Sequence, residues 1–242
     1  MRSPSAADVL RIWEQGQARR GPDRAIALLA AAFPETSPEE AADLPVGARD
    51  VLLLRLRARL FGPVLNGFTE CPTCRSRLEL RWEPPDTAPP AEASGHLSTE
   101  GYDVRFRLPT SRDLRGIAAC PGVAQARAAL LERCVLEASR DGALLPVDAL
   151  PDSVTARLAE RMTECDPGAE TLLNLDCPAC GHRWQAPLDV AAFVWAEIDA
   201  LSRRLLCEVQ TLAHAYGWRE PDILSLSAVR RQAYLEMAGS GG

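Results

Sequence analysis

The chain has 242 residues, of which 47% are hydrophobic, so it can bury a sizeable core as one large domain or two small ones. Its formal net charge of −6 argues against general nucleic-acid binding, which requires a basic surface. No run of about 18 apolar residues occurs, so no membrane span is expected. The polar N-terminus lacks an apolar signal segment, and we therefore expect a cytoplasmic protein whose thiols stay reduced.

The first 65 residues predict three helices. Ser5 can cap the first, and a proline near the start of the second supports a break after Arg20. The third helix has the strongest pattern and is predicted over Ala48 to Phe61, where a Gly-Pro pair stops it. The segment from Pro34 to Pro45 is rich in proline and acids, so we expect a loop there.

Two Cys-Pro-x-Cys motifs lie far apart in the chain, and each has the plan strand, motif, strand. Cys71 and Cys74 form the first, and Cys177 and Cys180 form the second. A tetrahedral zinc ion takes four ligands, so we expect one ion shared by both motifs. The two hairpins then form a zinc ribbon, and residues 75 to 176 are an insertion between the two pairs of ligands.

The residue after each motif bears on whether the motif can form a zinc knuckle. Gly181 suits the tight turn of a zinc knuckle, whereas Arg75 in the same place would either need an unusual backbone angle or serve to offset the thiolate charge. Four thiolates leave no open ligand position, so the ion would be structural. Three alternatives stay open: hairpins that pack without metal, a redox dithiol, and a rubredoxin-like iron site. His182 could compete as a ligand, but we expect it to face solvent.

The insertion is predicted to contain an exposed linker, one strand and three helices. The linker covers 84–100, and the strand begins at Tyr102. The first two helices are predicted over Ser111 to Ala119 and Val123 to Arg140, and the third is capped by Asp152 or Ser153. The remaining cysteines are expected to pack as small hydrophobic side chains; these are Cys120, Cys134, Cys165 and Cys207.

A long helix is predicted after the second motif, from Val190 to Tyr216, with apolar residues every three or four positions. Two short helices follow, the last ending near Met237. The long helix fits either a core helix or a partner helix for another protein. A DNA-binding helix-turn-helix could be argued over 208–237, but acids and bases nearly balance after residue 188.

No catalytic site is predicted. The chain has three histidines, and we find no Gly-rich phosphate loop, no GxSxG motif and no HExxH motif. Acidic residues are scattered among helix starts and exposed faces. The sequence therefore indicates a binding or structural protein.

Several segments resemble one known family. Residues 214–227 (HAYGWREPDILSLS) followed by 230–236 (RRQAYLE) are similar to the C-terminal motif of the baseplate hub assembly family of T-even-type contractile phage tails, with relatives in bacterial contractile injection systems. Residues 44–63, residues 107–114 and the two cysteine motifs resemble the zinc-ribbon-bearing branch of that family. The resemblance covers residues 5 to 237.

The resemblance implies a non-enzymatic hub component or assembly chaperone that binds baseplate, hub, tube or spike proteins. The family has no catalytic residues to carry over. We expect Trp218 and Ile223 to pack internally, and Arg230 and Arg231 to be exposed contacts. The residues that the resemblance suggests for a partner surface are Tyr216, Trp218, Arg230, Arg231 and Tyr234.

The sequence thus predicts a mostly α-helical α+β fold with a split four-cysteine zinc ribbon, a helical insertion and a long C-terminal helix. The first functional hypothesis is a structural or assembly protein of a contractile tail-like baseplate. The alternative is a zinc-ribbon regulator that binds nucleic acid. The predicted regions are N-terminal helices (1–66), the first half of the ribbon (67–85), the insertion (86–170), the second half of the ribbon (171–187) and C-terminal helices (188–242).

Overall fold

A computed structural model describes residues 4–84 and 93–240, and within them the fold is α+β and mostly helical, as predicted. A short 3-10 helix, Val147–Ala149, accompanies the regular elements. The helices are α1 (Ala6–Gln17), α2 (Gly21–Ala32), α3 (Pro38–Asp43), α4 (Val46–Phe61), α5 (Ser111–Ile117), α6 (Val123–Cys134), α7 (Asp152–Cys165), α8 (Val190–Tyr216), α9 (Glu220–Ser225) and α10 (Ala228–Ser240). The strands are β1 (Leu65–Glu70), β2 (Arg77–Trp82), β3 (Ser94–Thr99), β4 (Tyr102–Arg107), β5 (Val135–Arg140), β6 (Ala143–Leu144), β7 (Leu172–Asp176) and β8 (Arg183–Pro187).

The N-terminal region contains one helix more than the sequence analysis predicted. Helix α3 lies in the segment that we expected to be a loop. Ser37 accepts a hydrogen bond from the backbone N–H of Glu40, and the Glu40 carboxylate accepts one from the backbone N–H of Ser37. This reciprocal pair is a capping box, and Pro38 at the first helical position adds to the start signal. The proline and the acids that suggested a loop are therefore helix-start residues.

The insertion contains a four-stranded antiparallel sheet in the order β3-β4-β5-β6, which corrects two predictions. Strand β3 lies inside the predicted 84–100 linker, of which residues 85–92 are outside the described residues. The predicted helix to Arg140 ends at Cys134, and the rest is β5. Val135 pairs with Phe106, Ala138 pairs with Val104, and both small apolar side chains are buried. Pairing and burial therefore override the helical propensity of this segment.

Two main cores are separate from each other. The first lies among α1, α2, α4 and the first half of α8, with Leu28, Leu53 and Ile198 fully buried. The second lies inside the insertion, where Phe106 of the sheet packs in one cluster with Leu158 of α7. The insertion therefore has a hydrophobic core of its own.

Helix α8 occupies the range predicted from the sequence. Asp189 caps it by accepting a hydrogen bond from the backbone N–H of Ala192 (2.9 Å), and Gly217 ends it in the left-handed conformation (φ 68°). Val194, Ile198 and other members of the apolar stripe are buried against neighbouring helices. The core-helix interpretation is therefore confirmed for these buried positions. No helix in the described parts of the chain is both long and apolar enough for a membrane span.

The first hairpin, β1 with β2, is fixed to the helices by Arg57 of α4. Its side chain is almost completely buried and donates hydrogen bonds to the carbonyl oxygens of Gly62 and Val64, at 2.7 Å each. The same guanidinium forms a two-bond ion pair with Glu197 of α8, at 2.8 and 2.9 Å. Arg57 therefore connects the residues that precede β1 to α8, the helix that follows the second hairpin.

The insertion also contacts the N-terminal helices directly, so the hairpins are not its only connection. Helix α4 begins after Pro45, which has no side-chain donor or acceptor for a cap. Instead, the carboxylate of Asp166, at the end of α7, accepts a hydrogen bond from the backbone N–H of Gly47 (2.8 Å). Asp166 thus caps α4 from 119 residues away.

The junction between α4 and α5 joins two of the segments that resemble the baseplate family. Pro45 and Thr110 form an isolated antiparallel bridge, and the backbone N–H of Val46 donates to the carbonyl of Pro109 (3.0 Å). Arg49 donates to the hydroxyl of Ser111 (3.2 Å). These segments therefore form an internal joint between the helices and the insertion.

The cysteines outside the two motifs differ in their burial. Cys134 and Cys165 are buried, as expected for small hydrophobic side chains, and Cys120 is half-buried. Cys207 is exposed, so the packing prediction is wrong for this residue. It lies two positions after the buried Leu205, which places it on the outer face of α8.

Candidate metal centre

The four motif cysteines meet in space. Cys71 Sγ lies 3.7 Å from Cys180 Sγ, and Cys74 Sγ lies 3.6 Å from Cys177 Sγ. All four sulfur atoms lie within 4.8 Å of one another. The two hairpins, separated by the whole insertion, therefore form one four-thiol cluster.

The two motifs have the same local geometry. In the first, the Arg75 N–H donates to the Cys71 carbonyl (2.9 Å) and the Cys71 N–H to the Ser76 carbonyl (3.0 Å). In the second, Gly181 donates to Cys177 (2.8 Å) and Cys177 to His182 (2.9 Å). Arg75 has φ 63° and Gly181 has φ 71°, which confirms the unusual angle expected at Arg75.

The sulfur positions fit a tetrahedral metal ion. Zinc–sulfur bonds of about 2.3 Å in a tetrahedron place neighbouring sulfurs about 3.8 Å apart. The Cys71–Cys180 and Cys74–Cys177 separations, 3.7 and 3.6 Å, lie close to that value, and the other sulfur pairs are within 4.8 Å. Cys71 and Cys177 are buried while Cys74 and Cys180 are exposed, so each motif contributes one inner and one outer thiol.

The pKa values of the outer thiols move in opposite directions. Hydrogen bonds with the Ser76 side chain and backbone lower the pKa of Cys74 to about 6. The backbone N–H of His182 lowers the pKa of Cys180, but burial and the three neighbouring thiols outweigh it and raise that pKa to about 12. Negative charge on one sulfur therefore disfavours charge on the next, which is the repulsion that a bound cation removes.

His182 does not belong to the cluster. Its ring is half-buried and stacks on Trp184 of β8, with the ring centroids 5.7 Å apart. In the described part of the chain, the only group of at least three close His, Cys, Asp or Glu side chains suited to a metal is the cysteine group. The arrangement is therefore a group of four thiols that could hold one metal ion.

Three of the residues expected to form a partner surface meet at the end of α8. The ring of Trp218 lies 4.8 Å from the rings of both Tyr216 and Tyr234, measured between centroids. The hydroxyl of Tyr216 donates to the backbone carbonyl of Tyr234 (3.1 Å). We call these three residues the aromatic cluster. Tyr216 is exposed and the other two are half-buried, so the cluster has an accessible face.

The two arginines of the same motif have different environments. Arg230 is exposed on α10, as expected. Arg231 is 6% exposed, so the prediction that it is an exposed contact is wrong. Its guanidinium forms an ion pair with Glu208 of α8 (2.9 Å) and donates to the carbonyl of Leu226 (2.6 Å). Arg231 fixes α10 against α8, and Ile223 is fully buried, as expected.

Two residues that shape these sites were not predicted from the sequence. Ser76, which hydrogen-bonds Cys74, is the second residue after the first motif, and a hydroxyl at that place was a readable signal. Asp166 carries no local signal, because its partner Gly47 is remote in the chain.

The fold and the cysteine group together define a class of protein: mostly helical, with a four-cysteine ribbon that can hold a structural metal ion. The chain belongs to the family described as T4 bacteriophage base plate protein, whose sequence profile matches residues 23–193. No curated protein and no solved structure matches the chain. The matched range includes both cysteine motifs and the joint between α4 and α5, and it ends before the aromatic cluster. The resemblance to baseplate proteins is therefore confirmed, while the zinc-ribbon branch stays a prediction.

Proposed function

We propose that the protein is a non-enzymatic structural or assembly (chaperone-like) component of the baseplate of a contractile, phage tail-like injection system. The observation that carries the proposal is the family match over residues 23–193. A baseplate family implies a role in assembly, so the chain would act by binding other baseplate, hub, tube or spike proteins. The division into five regions stays a prediction.

We also propose that Cys71, Cys74, Cys177 and Cys180 hold one structural zinc ion. The convergence of the four sulfur atoms supports this proposal. Bound zinc would supply a fixed link between the two hairpins and would offset part of the negative charge of the thiolates. Because the first hairpin also connects to α4 and the second to α8, the link would hold the helices in one arrangement.

The proposed partner surface is the aromatic cluster together with Arg230. Tyr, Trp and Arg dominate the energy of many protein interfaces, and Tyr and Trp bury large areas with few rotatable bonds. The hydrogen bond from the Tyr216 hydroxyl to the backbone carbonyl of Tyr234 holds the Tyr216 ring in place before binding. Arg231 would not contact the partner itself. Its ion pair with Glu208 holds α10 against α8 and so keeps the surface in position.

The test is binding of the zinc-loaded full chain to purified hub, tube and spike proteins of the same particle. We expect stable binding to at least one of them, weakened by Tyr216→Ala and by Arg230→Ala. Arg55→Ala is the matched control, because Arg55 is exposed on α4, far along the chain from the cluster. Retention on DNA that falls with salt, without binding to any particle protein, would overturn the proposal and favour the nucleic-acid regulator.

A further inference from the structure

A groove on the insertion has no role in the metal centre or in the aromatic cluster. It has a volume of about 610 Å³ and lies between α6, the 3-10 helix and the start of α7. Pockets of this size receive a few side chains or a small ligand. The groove lies within the family-matched range, whereas the aromatic cluster lies beyond it.

The floor of the groove is apolar and is supported from below. Ala124 and Ala128 lie one turn apart on α6, and Leu131 continues the same face. Leu131 and Leu150 pack against the core of the insertion, which fixes their positions. The alanines have no side chain beyond Cβ, so another backbone can approach α6 closely at this face.

An exposed aliphatic residue extends the floor to the groove edge. Val123, the first residue of α6, is 87% exposed, although it lines the groove. Most of its apolar surface is therefore in contact with water. A second protein seated in the groove would remove that surface from water, which is favourable.

The rim of the groove is acidic. Glu132, Asp148 and Asp152 line it, with Arg127 as the single basic residue. Within residues 4–84 and 93–240, none of these three carboxylates forms an ion pair. Asp152 suits the N-terminus of α7, but Glu132 lies in the last turn of α6, where the helix dipole disfavours an acid. Its position is therefore explained better by a basic partner than by its own helix.

We propose that this groove binds an amphipathic helix of a partner baseplate protein, with two or three aliphatic side chains flanked by lysine or arginine. An apolar floor between helices suits a helix laid into a groove, and the acidic rim suits its basic flanks. The inference rests on the proposed baseplate function and adds a second docking surface, so that one chain bridges two components. The groove differs in position and in charge from the proposed surface formed by the aromatic cluster and Arg230.

The test uses fluorescein-labelled peptides of 18 residues that tile the other baseplate proteins of the same particle. Their binding to the zinc-loaded full chain is measured by fluorescence anisotropy. We expect a basic amphipathic peptide to bind, with affinity that falls as salt rises. Ala128→Arg fills the floor and is expected to weaken binding by about tenfold or more. Glu132→Lys is expected to weaken it mainly at low salt.

Matched controls lie on the outer face of α7, where Ala159→Arg and Glu160→Lys make the same changes at exposed positions that do not line the groove. Both should leave peptide binding unchanged. Equal binding by wild type and Ala128→Arg, or no bound peptide at all, would overturn the inference. A second copy of this chain is the rival occupant, and a concentration-dependent dimer in sedimentation that Ala128→Arg abolishes would also overturn it.

Different results would contradict the baseplate function and the groove inference. If purified hub, tube or spike proteins bind the full chain and respond only to Tyr216→Ala, the baseplate function stands and the groove inference is wrong. If peptides occupy the groove, Tyr216→Ala should leave their affinity unchanged, because the aromatic cluster belongs to other elements.

Discussion

Replacing Gly47 with alanine is expected to destabilise the protein, although alanine is the better helix former. In an open helical position this change stabilises by up to about 1 kcal/mol. At Gly47, however, a Cβ would lie 2.6 Å from the backbone nitrogen of Ala169 and 2.7 Å from Cγ of Asp166. Real side chains do not approach that closely, so the segment after α7 must move.

The magnitude follows from the two interactions that this movement damages. Overpacking a tight contact costs about 1–3 kcal/mol, and loss of the Asp166 cap costs about 0.5–2 kcal/mol more. Subtracting the gain in helix propensity of about 1 kcal/mol leaves a net loss of about 0.5–4 kcal/mol. Gly239→Ala in α10 is the matched control, since a Cβ there meets nothing within 4 Å.

Urea unfolding, followed by circular dichroism, measures both variants. We expect a lower midpoint for Gly47→Ala and an unchanged or higher one for Gly239→Ala. Asp166→Ala removes the cap and also one of the two clashing groups, so the double variant should be less destabilised than the sum of the single variants. A Gly47→Ala protein as stable as wild type would refute the close approach of the insertion to α4.

Two further predictions concern charged side chains. Arg231→Ala removes the buried partner of Glu208, which keeps Arg204 at 3.8 Å, and is expected to cost about 1–3 kcal/mol in urea unfolding, whereas the exposed neighbour Arg230→Ala should change the midpoint little; equal effects would contradict the buried role of Arg231. Burial raises the pKa of Asp113, but hydrogen bonds from Arg107 and Thr110 outweigh it and hold the pKa at about 2. Its stabilisation is therefore present at neutral pH and is lost as the pH falls from about 4 to about 2, a loss that Asp113→Asn should reduce. If the urea midpoints of wild type and Asp113→Asn changed with pH in parallel, the result would be inconsistent with that pKa.

Local signals in the sequence were sufficient for the elements that end in strong caps or breaks. Helix α8 runs between Asp189 and Gly217, and both residues act on the backbone next to them. The cysteine motifs were readable for the same reason, because the Cys-x-x-Cys spacing is a local signal of a metal site. Their convergence needed only the rule that a zinc ion takes four ligands.

Other features depended on contacts between distant segments. Residues 135–140 continue a plausible helix, and only pairing with β4 across the core makes them a strand. The burial of Arg231 depends on Glu208, which lies on another helix. Asp166 caps a helix 119 residues away, and no local pattern marks that partnership. A single sequence carries little information about such pairs, since propensity and periodicity describe neighbours along the chain.

The metal content of the purified chain tests the central proposal most directly, namely that two distant hairpins share one zinc ion. Elemental analysis for zinc and iron should find about one zinc per chain in wild type and in the control Cys207→Ser. Cys74→Ser and Cys180→Ser, one from each motif, should each lose most of the zinc and melt at a lower temperature. Undiminished zinc in both variants, or no bound metal in the wild-type chain, would contradict the shared site.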